Sequence, residues 1–259
     1  METPAPNRAT VEQAVSTGLH AIFPGDSEMA RLMRAFDWST TEIGVPEHWP
    51  ESLKAAVRIC VGSRNPIVIW WGKKALTQIY NDGYMRILTA AKHPRWFAQS
   101  GAECWTEIME TMGPMWEQVL TTGEATWCED FLYVMNRNLP REECYFTFSY
   151  SALRNDSGLV DGILCICYET TNRVVGDRRL QTLRDLGRTV SMAKTPEEAC
   201  KSTAGILAAN PDDIPFAMLY ILDEDGRQQD EQSRPWSVIN LETIPVRLIK
   251  SSISSLPLR

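Results

Sequence analysis

Cysteine and histidine are the side chains in this sequence with the widest chemical range, because thiolates and imidazoles bind metals and act as nucleophiles, acids or bases. The chain has seven cysteines and three histidines. Only Cys165 and Cys167 are close together, and alternate strand residues share a face without the spacing of a CxxC site. His20, His48 and His93 are far apart in loop-like contexts, which disfavours a His–Cys zinc site. We therefore predict reduced, mostly buried thiols, with a metal or redox site as the alternative.

Catalytic motifs are missing from the sequence. It contains no glycine-rich phosphate loop and no Gly-x-Ser-x-Gly nucleophile elbow. A phosphoacceptor-histidine box and an ATP-binding kinase domain have no counterpart either. His48 lies in a turn, Glu-His-Trp-Pro, rather than on a long helix. We therefore expect a protein that is not an enzyme.

Length and charge narrow the class further. The 259 residues suggest one or two domains, and the formal charge of −7 disfavours nucleic acid as a partner. No apolar run approaches the roughly 20 residues that span a bilayer. The N-terminus lacks the basic-then-apolar order of a signal peptide. These features predict a cytoplasmic protein without a membrane span.

The elements that would position functional side chains begin with residues 66–84. A β-branched run ends at Trp70 and Trp71, a turn follows at Gly72, and a second short strand ends at Tyr80. Asn81 then stands where an N-cap residue belongs. This pattern predicts a hairpin followed by a capped helix reaching about residue 88.

Three longer β-type segments follow, at residues 125–134, 143–153 and 160–168. In the second, Cys144, Phe146, Phe148 and Tyr150 alternate with polar residues, which predicts one buried face. Gly113–Pro114 predicts the start of a helix before these strands. The fold class is therefore α+β: a five-stranded antiparallel sheet with flanking helices, a linker helix and a partial α/β segment.

The order of elements between residues 64 and 171 resembles that of a PAS sensory domain. The resemblance is carried by Tyr80-Asn81-Asp82 at the helix start, by the aromatic strand at residues 145–151, and by the Asp156-Ser157-Gly158 turn. Glu169-Thr170-Thr171 resembles the Asp-x-Thr that commonly ends a PAS domain and couples it to a signalling helix, with Glu in place of Asp. Residues 195–226 resemble the first helix and strand of a GAF domain, of which the segment would be only a part.

These observations predict six segments. They are a disordered leader (1–26), N-terminal helices (27–62), the PAS domain (63–171), a signalling helix (172–194), a partial GAF-like domain (195–230) and an irregular tail (231–259).

The PAS resemblance implies a small ligand between the sheet and its helices, so the common cofactors were considered. Flavin-binding members carry a reactive cysteine on the helix after the opening unit, and residues 91–97 contain none. Haem-binding members use a helix-borne histidine. His93, followed by Pro94, is predicted to be a solvent-exposed loop residue instead. We expect neither flavin nor haem, and the cofactor stays unknown.

Aromatic residues in the predicted domain are either plain core or the lining of a modest apolar pocket. The pocket candidates are Trp70, Tyr80, Asn81, Tyr84, Trp105, Trp116, Phe146 and Phe148, with Tyr80, Asn81 or Thr147 as polar orienting groups.

The functional prediction is a signal-transduction sensor that binds a small ligand or partner and relays the change through Glu169 and Thr171 into the helix that follows. We expect a homodimer formed through the helices at residues 27–36 and 172–190. The alternatives are the sensory fragment of a two-component histidine kinase acting in a phosphorelay, and an empty dimerisation scaffold.

Overall fold

The computed structural model describes residues 18–72 and 74–219. Five antiparallel strands form one sheet: β1 (Ile67–Trp71), β2 (Thr77–Tyr80), β3 (Thr126–Met135), β4 (Glu142–Arg154) and β5 (Val160–Glu169). Their order is β2-β1-β5-β4-β3, so the first hairpin joins the last strand in the centre of the sheet. The predicted five-stranded sheet and α+β class are confirmed. Along β4, residues 144, 146, 148 and 150 are buried, as the alternation predicts.

A layer of short helices between β2 and β3 covers the inner face of the sheet. It consists of α3 (Asp82–Lys92), α4 (Gly101–Cys104), a 3-10 turn (Thr106–Ile108) and α5 (Met109–Thr122). Helix α3 runs past the predicted end at residue 88, but Thr89 interrupts it with φ 55°. Positive φ is uncommon for a β-branched residue, so the layer has a break at this point.

The helix predicted to begin at Pro114 begins five residues earlier, at Met109. The 3-10 turn leads directly into α5, and the buried residues Met112 and Trp116 lie on either side of Pro114. Pro114 lies in the second turn of α5 and removes one backbone hydrogen bond there, and packing of Met112 and Trp116 in the core offsets that loss. The helix ends at Gly123, which adopts φ 73° and donates its N–H to the carbonyl of Val119.

The N-terminal segment is part of the same core. Helices α1 (Glu28–Ala35) and α2 (Glu51–Gly62) bury Met29, Met33 and Leu53, and both faces of β1 and β2 are buried. The leader predicted through residue 26 is wrong in its last part. Residues 18–22 are helical and Phe23 is fully buried against Trp38 and Trp49, because an aromatic side chain gains more from this cluster than the polar local sequence suggests. Residues 1–17 lie outside the described part of the chain.

Three carboxylates tie this segment to the sheet domain. Asp82 accepts hydrogen bonds from the backbone N–H groups of Glu28 and Met29 at the start of α1. Asp156 accepts from the first residues of α2 at 3.1 Å, and Glu42 accepts from Lys74 and Ala75 in the β1–β2 turn. Carboxylates are favourable at helix N-termini because they satisfy free N–H groups there.

Beyond Asn172 the chain forms a second compact unit. Helix α6 (Thr171–Met192) leads into it, and α7 (Pro196–Ala208) follows the N-cap Thr195, whose side chain accepts from the N–H of Glu198. Asp213 accepts hydrogen bonds from Arg178 and Arg179 within this unit, at 2.7 Å and 3.0 Å. The strand expected within the GAF-like segment is not formed at residues 216–219, which belong to no strand in the described part of the chain. Residues 220–259, including the predicted tail, lie outside the described part of the chain.

Asn81 makes the densest set of hydrogen bonds at the start of the sheet domain. Its carboxamide oxygen accepts from the N–H groups of Ile67 and Tyr84, at 3.1 Å and 3.0 Å. Its NH₂ group donates to the carbonyls of Cys60, Ser63 and Asn65. One buried amide therefore joins the end of α2, the start of β1 and the N-cap of α3.

We expect Asn81→Ala to lower the free energy of unfolding by about 3 kcal/mol or more, because several buried backbone groups lose their partner together. Chemical denaturation followed by circular dichroism measures the effect. Asn138→Ala, at an exposed loop position, is the control and should change stability by less than about 0.5 kcal/mol. Equal stability of the two variants would contradict this account of Asn81.

Candidate functional site

An apolar cavity of about 40 Å³ lies between the inner face of the sheet and the helical layer. The sheet contributes side chains from four strands, all on the inner face defined by the register. They are Trp70, Tyr133, Met135, Phe146, Phe148, Tyr150, Cys165 and Cys167.

The opposite wall comes from the helical layer, which we call the roof of the cavity. Its lining residues are Tyr84 and Ile87 of α3, Trp105 and Ile108 around the 3-10 turn, and Met112 of α5. The roof is built from short pieces, whereas each strand of the floor is held by backbone ladders.

Five of the eight predicted pocket residues line the cavity, namely Trp70, Tyr84, Trp105, Phe146 and Phe148. Asn81 is instead the structural junction described above. Trp116 packs behind Trp70, with ring centroids 4.4 Å apart. Tyr80 points toward the edge of the helical layer, where its hydroxyl is 2.8 Å from Nδ1 of His93. Thr147 is on the outer register of β4, where its hydroxyl accepts from the N–H of Asp130.

The prediction of a solvent-exposed His93 is wrong, since this residue is half-buried at the end of α3. Burial lowers the pKa of the imidazole, against the opposing charges of Glu28 and Asp82. The ring is therefore a neutral hydrogen-bond partner of Tyr80 at pH 7. Its contact with Tyr80 fixes the edge of the roof.

Gln78 is a functional neighbour that sequence reasoning missed. It is fully buried, and its carboxamide oxygen accepts from the indole N–H groups of Trp70 at 3.0 Å and Trp105 at 3.2 Å. One amide therefore orients an aromatic ring of the floor and one of the roof. A glutamine in a short strand between two aromatic-rich segments is the only sequence signal for it, and this signal is weak because Thr77 beside it is polar as well.

Tyr133, Tyr150, Cys165 and Cys167 were also missed as lining residues. The hydroxyls of Tyr133 and Tyr150 are 3.4 Å apart. Burial raises the pKa of both phenols and of the Cys165 thiol well above their ordinary values. The floor therefore presents uncharged side chains at physiological pH.

The predicted coupling residues Glu169 and Thr171 meet at a buried arginine that the sequence did not reveal. Arg137 donates two parallel hydrogen bonds to the Glu169 carboxylate, each 2.9 Å long. Its side chain is only 3% exposed, and a bidentate pair of this kind combines charge with fixed geometry. Thr171 adds to the group by donating to Glu169 and accepting from the N–H of Tyr145, both at 2.9 Å.

Arg137 also contacts the roof and the neighbouring strand. One of its nitrogens donates to the carbonyl of Ile87, a lining residue, at 3.3 Å, and the other lies 3.1 Å from Glu142 and 2.9 Å from the Cys144 sulfur. Burial raises the pKa of the Cys144 thiol to about 11, so the thiol is neutral.

A second link to the roof starts one residue earlier. Asn136 donates its backbone N–H to the carboxylate of Glu107, which is also 3.0 Å from Nζ of the buried Lys92. Lys92 bonds the carbonyl of Cys104 and lies over the Trp105 ring at 4.7 Å. The loop at residues 136–138 therefore holds the roof through two polar contacts and the start of α6 through Glu169.

No cluster of three or more His, Cys, Asp or Glu side chains is placed to hold a metal ion within residues 18–72 and 74–219. The helices in the described part of the chain also include none with the length and apolar character needed to cross a bilayer.

The chain was compared with family models, solved structures and curated proteins. Residues 78–175 match a family model described as PAS fold. The PAS domain of BvgS from Bordetella pertussis shares 16% identity, with 49% of this chain and 91% of that chain covered and a TM-score of 0.35. A sensory box sensor histidine kinase from Vibrio cholerae shares 10% identity, over 46% of this chain and 91% of that one, with a TM-score of 0.32.

An RNA-binding light-oxygen-voltage receptor shares 16% identity with a TM-score of 0.37, over 57% of this chain but only 42% of that receptor. At these TM-scores we draw no conclusion from the individual structures. Among curated proteins, none matches this chain.

The pKa of Glu169 predicts an acid-sensitive contact. Hydrogen bonds from Arg137 hold this pKa below its usual range, against the effect of burial. Because the folded value lies below the unfolded value of about 4.3, the stabilisation is complete above that pH and is lost as the pH falls through the folded pKa. We expect Glu169→Gln to be less stable than the wild type at pH 7, with a difference that shrinks toward pH 3.

Denaturation at a series of pH values measures this difference. Glu129→Gln, an exposed position on β3, is the matched control and should track the wild type throughout. A stability difference between Glu169→Gln and the wild type that does not change with pH would contradict a charged role for Glu169.

Proposed function

We propose that this chain, whose residues 78–175 form a PAS domain, is a cytoplasmic sensory module that binds a small ligand in the cavity. The PAS resemblance noted in the sequence is confirmed. Occupation of the cavity would displace the roof, and the displacement would reach helix α6 through Arg137, Glu169 and Thr171.

The observation that carries this proposal is the double attachment of Arg137. The same guanidinium bonds the carbonyl of Ile87, in the roof, and the carboxylate of Glu169, two residues before Thr171. A movement of Ile87 therefore changes the environment of a buried charge that also fixes the beginning of the linker helix. Buried charges tolerate loss of a partner poorly, so the group favours a small number of discrete arrangements.

The size of the cavity supports movement of the roof. A volume of about 40 Å³ holds only a few heavy atoms, far less than the several hundred Å³ of ordinary ligand pockets. A larger ligand must displace part of the lining. The strands are bound to one another along their length, whereas the roof is interrupted at Thr89 and again at Ala98, which has φ 56°. A larger ligand would therefore displace the roof rather than the sheet.

In the proposed relay, helix α6 carries the movement away from the sheet domain. Its residues Leu180, Leu183 and Val190 are 44%, 64% and 49% exposed, a spacing that suits pairing with another helix. Helix α1, the other helix expected to dimerise, has Met29 and Met33 buried in its own core. We therefore place the proposed homodimer contact on α6.

A histidine-kinase sensory fragment is the second candidate function. The GAF-like segment predicted after residue 195 is the feature that favours it. Both that segment and a role in a phosphorelay remain predictions. Reading the coding DNA beyond residue 259 separates the two candidates, because an in-frame kinase domain supports the fragment.

An empty scaffold is the third candidate, and native mass spectrometry of the purified chain addresses it. We expect a co-purified small molecule, released by denaturation, in a fraction of the protein. Protein that is free of any bound molecule, when purified from cells in which the module is active, would favour the scaffold.

Thr171→Ala should loosen the start of α6, because the Tyr145 N–H loses its acceptor and Glu169 loses a donor. We expect amide hydrogen exchange at residues 175–178, the first hydrogen-bonded turn of α6, to become about fivefold faster, as for loss of a helix-end contact of about 1 kcal/mol. Exchange followed by mass spectrometry measures it.

Two variants control this experiment. Thr171→Ser keeps the hydroxyl and should restore protection. Thr170→Ala removes a buried hydroxyl that makes no hydrogen bond within the described part of the chain, so it should leave exchange at α6 unchanged. Equal acceleration in Thr170→Ala and Thr171→Ala would exclude a specific role for Thr171.

A further inference from the structure

We infer that the cavity selects a neutral, apolar molecule without hydrogen-bonding groups, such as a small hydrocarbon or an apolar gas. This inference rests on the proposed function, since it names the chemical class of the ligand of the same cavity. It follows from the wall chemistry, the surrounding charges and the volume.

The wall of the cavity consists almost entirely of carbon and sulfur atoms. The polar atoms of the lining side chains contribute almost none of the exposed wall. The indole N–H groups of Trp70 and Trp105 both meet Gln78, and the hydroxyls of Tyr133 and Tyr150 meet each other. A polar group on a ligand would therefore lose its hydration without gaining a partner, which is unfavourable in a buried site.

Formal charges near the cavity are already paired. Lys92 lies behind the Trp105 ring and is bound to Glu107, and Arg137 lies 5.9 Å from the Phe146 ring and is bound to Glu169 and Glu142. The residues that line the cavity include no Asp, Glu, Lys, Arg or His side chain. A carboxylate or ammonium ligand would have to break one of these buried ion pairs to be stabilised, so charged ligands are excluded.

Water is a poor competitor for this space. A buried water needs two to four polar partners as well as roughly 10–15 Å³ of volume. The cavity has the volume of about three waters but does not supply the partners. An apolar molecule therefore enters without displacing well-bound water, and it gains dispersion contacts with the aromatic side chains.

Volume sets two size ranges for the ligand. An apolar species of about three heavy atoms fits the cavity as it stands, whereas a benzene-sized ring needs a cavity of roughly 150 Å³. The ring must therefore move the roof. Xenon and toluene are suitable probes of the two ranges.

The experiment compares toluene with phenol, two rings of similar size that differ in one hydroxyl, and adds xenon and benzoate. Binding to the full chain is followed by the shift in thermal midpoint, and by the ¹²⁹Xe chemical shift for xenon. We expect xenon and toluene to bind, phenol to bind about tenfold or more weakly than toluene because its hydroxyl loses hydration without gaining a partner, and benzoate not to bind.

A filled cavity tests the location of the probes. Cys167→Leu adds bulk on the inner face of β5, and Ile166→Leu changes the next residue, on the outer face. Toluene binding should be lost in the first variant and kept in the second, with circular dichroism confirming that both are folded. Retention of toluene binding by a folded Cys167→Leu variant would overturn the location.

If the first variant does not fold, the probe series in the wild type still decides the chemistry. Phenol or benzoate binding as tightly as toluene would overturn the inference, and so would failure of both xenon and toluene to bind. Neither result bears on the relay to α6, which Thr171→Ala tests independently, nor on whether another molecule co-purifies with the chain.

Discussion

The structure depends above all on one buried amide, the side chain of Asn81. This side chain satisfies donors and acceptors together. The N–H groups at the start of β1 and α3 need an acceptor, and the carbonyls at and after the end of α2 need donors. Carboxamides are suited to this place because they provide both at once, without a charge. The sheet, the roof and the N-terminal helices therefore meet at Asn81, which fixes the position of each relative to the other two.

Around this junction the domain separates an apolar interior from a charged margin. Aromatic and sulfur-containing side chains fill the space between floor and roof, while Lys92, Glu107, Arg137 and Glu169 form a row of ion pairs behind the rings. The charges of the margin have few alternative partners, which limits the geometries that it can adopt. In the proposed function, separation of interior and margin would let one domain both accommodate a molecule and pass on a defined movement.

Local patterns were enough to predict the sheet and much of the lining. Alternation at residues 144–150 identified the buried face of β4, the turn after residue 154 identified the β4–β5 hairpin, and Asn81 identified the start of α3. Aromatic residues in those strands then led to five of the lining positions.

The errors have a common physical origin in contacts between distant parts of the chain. Arg137 lies in a loop without periodicity, and its main partner is 32 residues away. Phe23 is buried only because Trp38 and Trp49 fold over it, and α5 continues through Pro114 because the sheet needs its side chains. Helix and strand propensities depend on a residue and its neighbours in the sequence, so they do not predict tertiary packing of this kind.

The small volume of the cavity also sets a relation between affinity and response. In the proposed function, free energy used to lift the roof would be subtracted from the free energy of binding, so molecules that produce the largest displacement would bind with a reduced apparent affinity. Molecules that fit the volume of about 40 Å³ would bind without this loss and would leave the roof in place. The domain would therefore distinguish occupants by bulk, with the smallest acting as competitive antagonists of the larger ones.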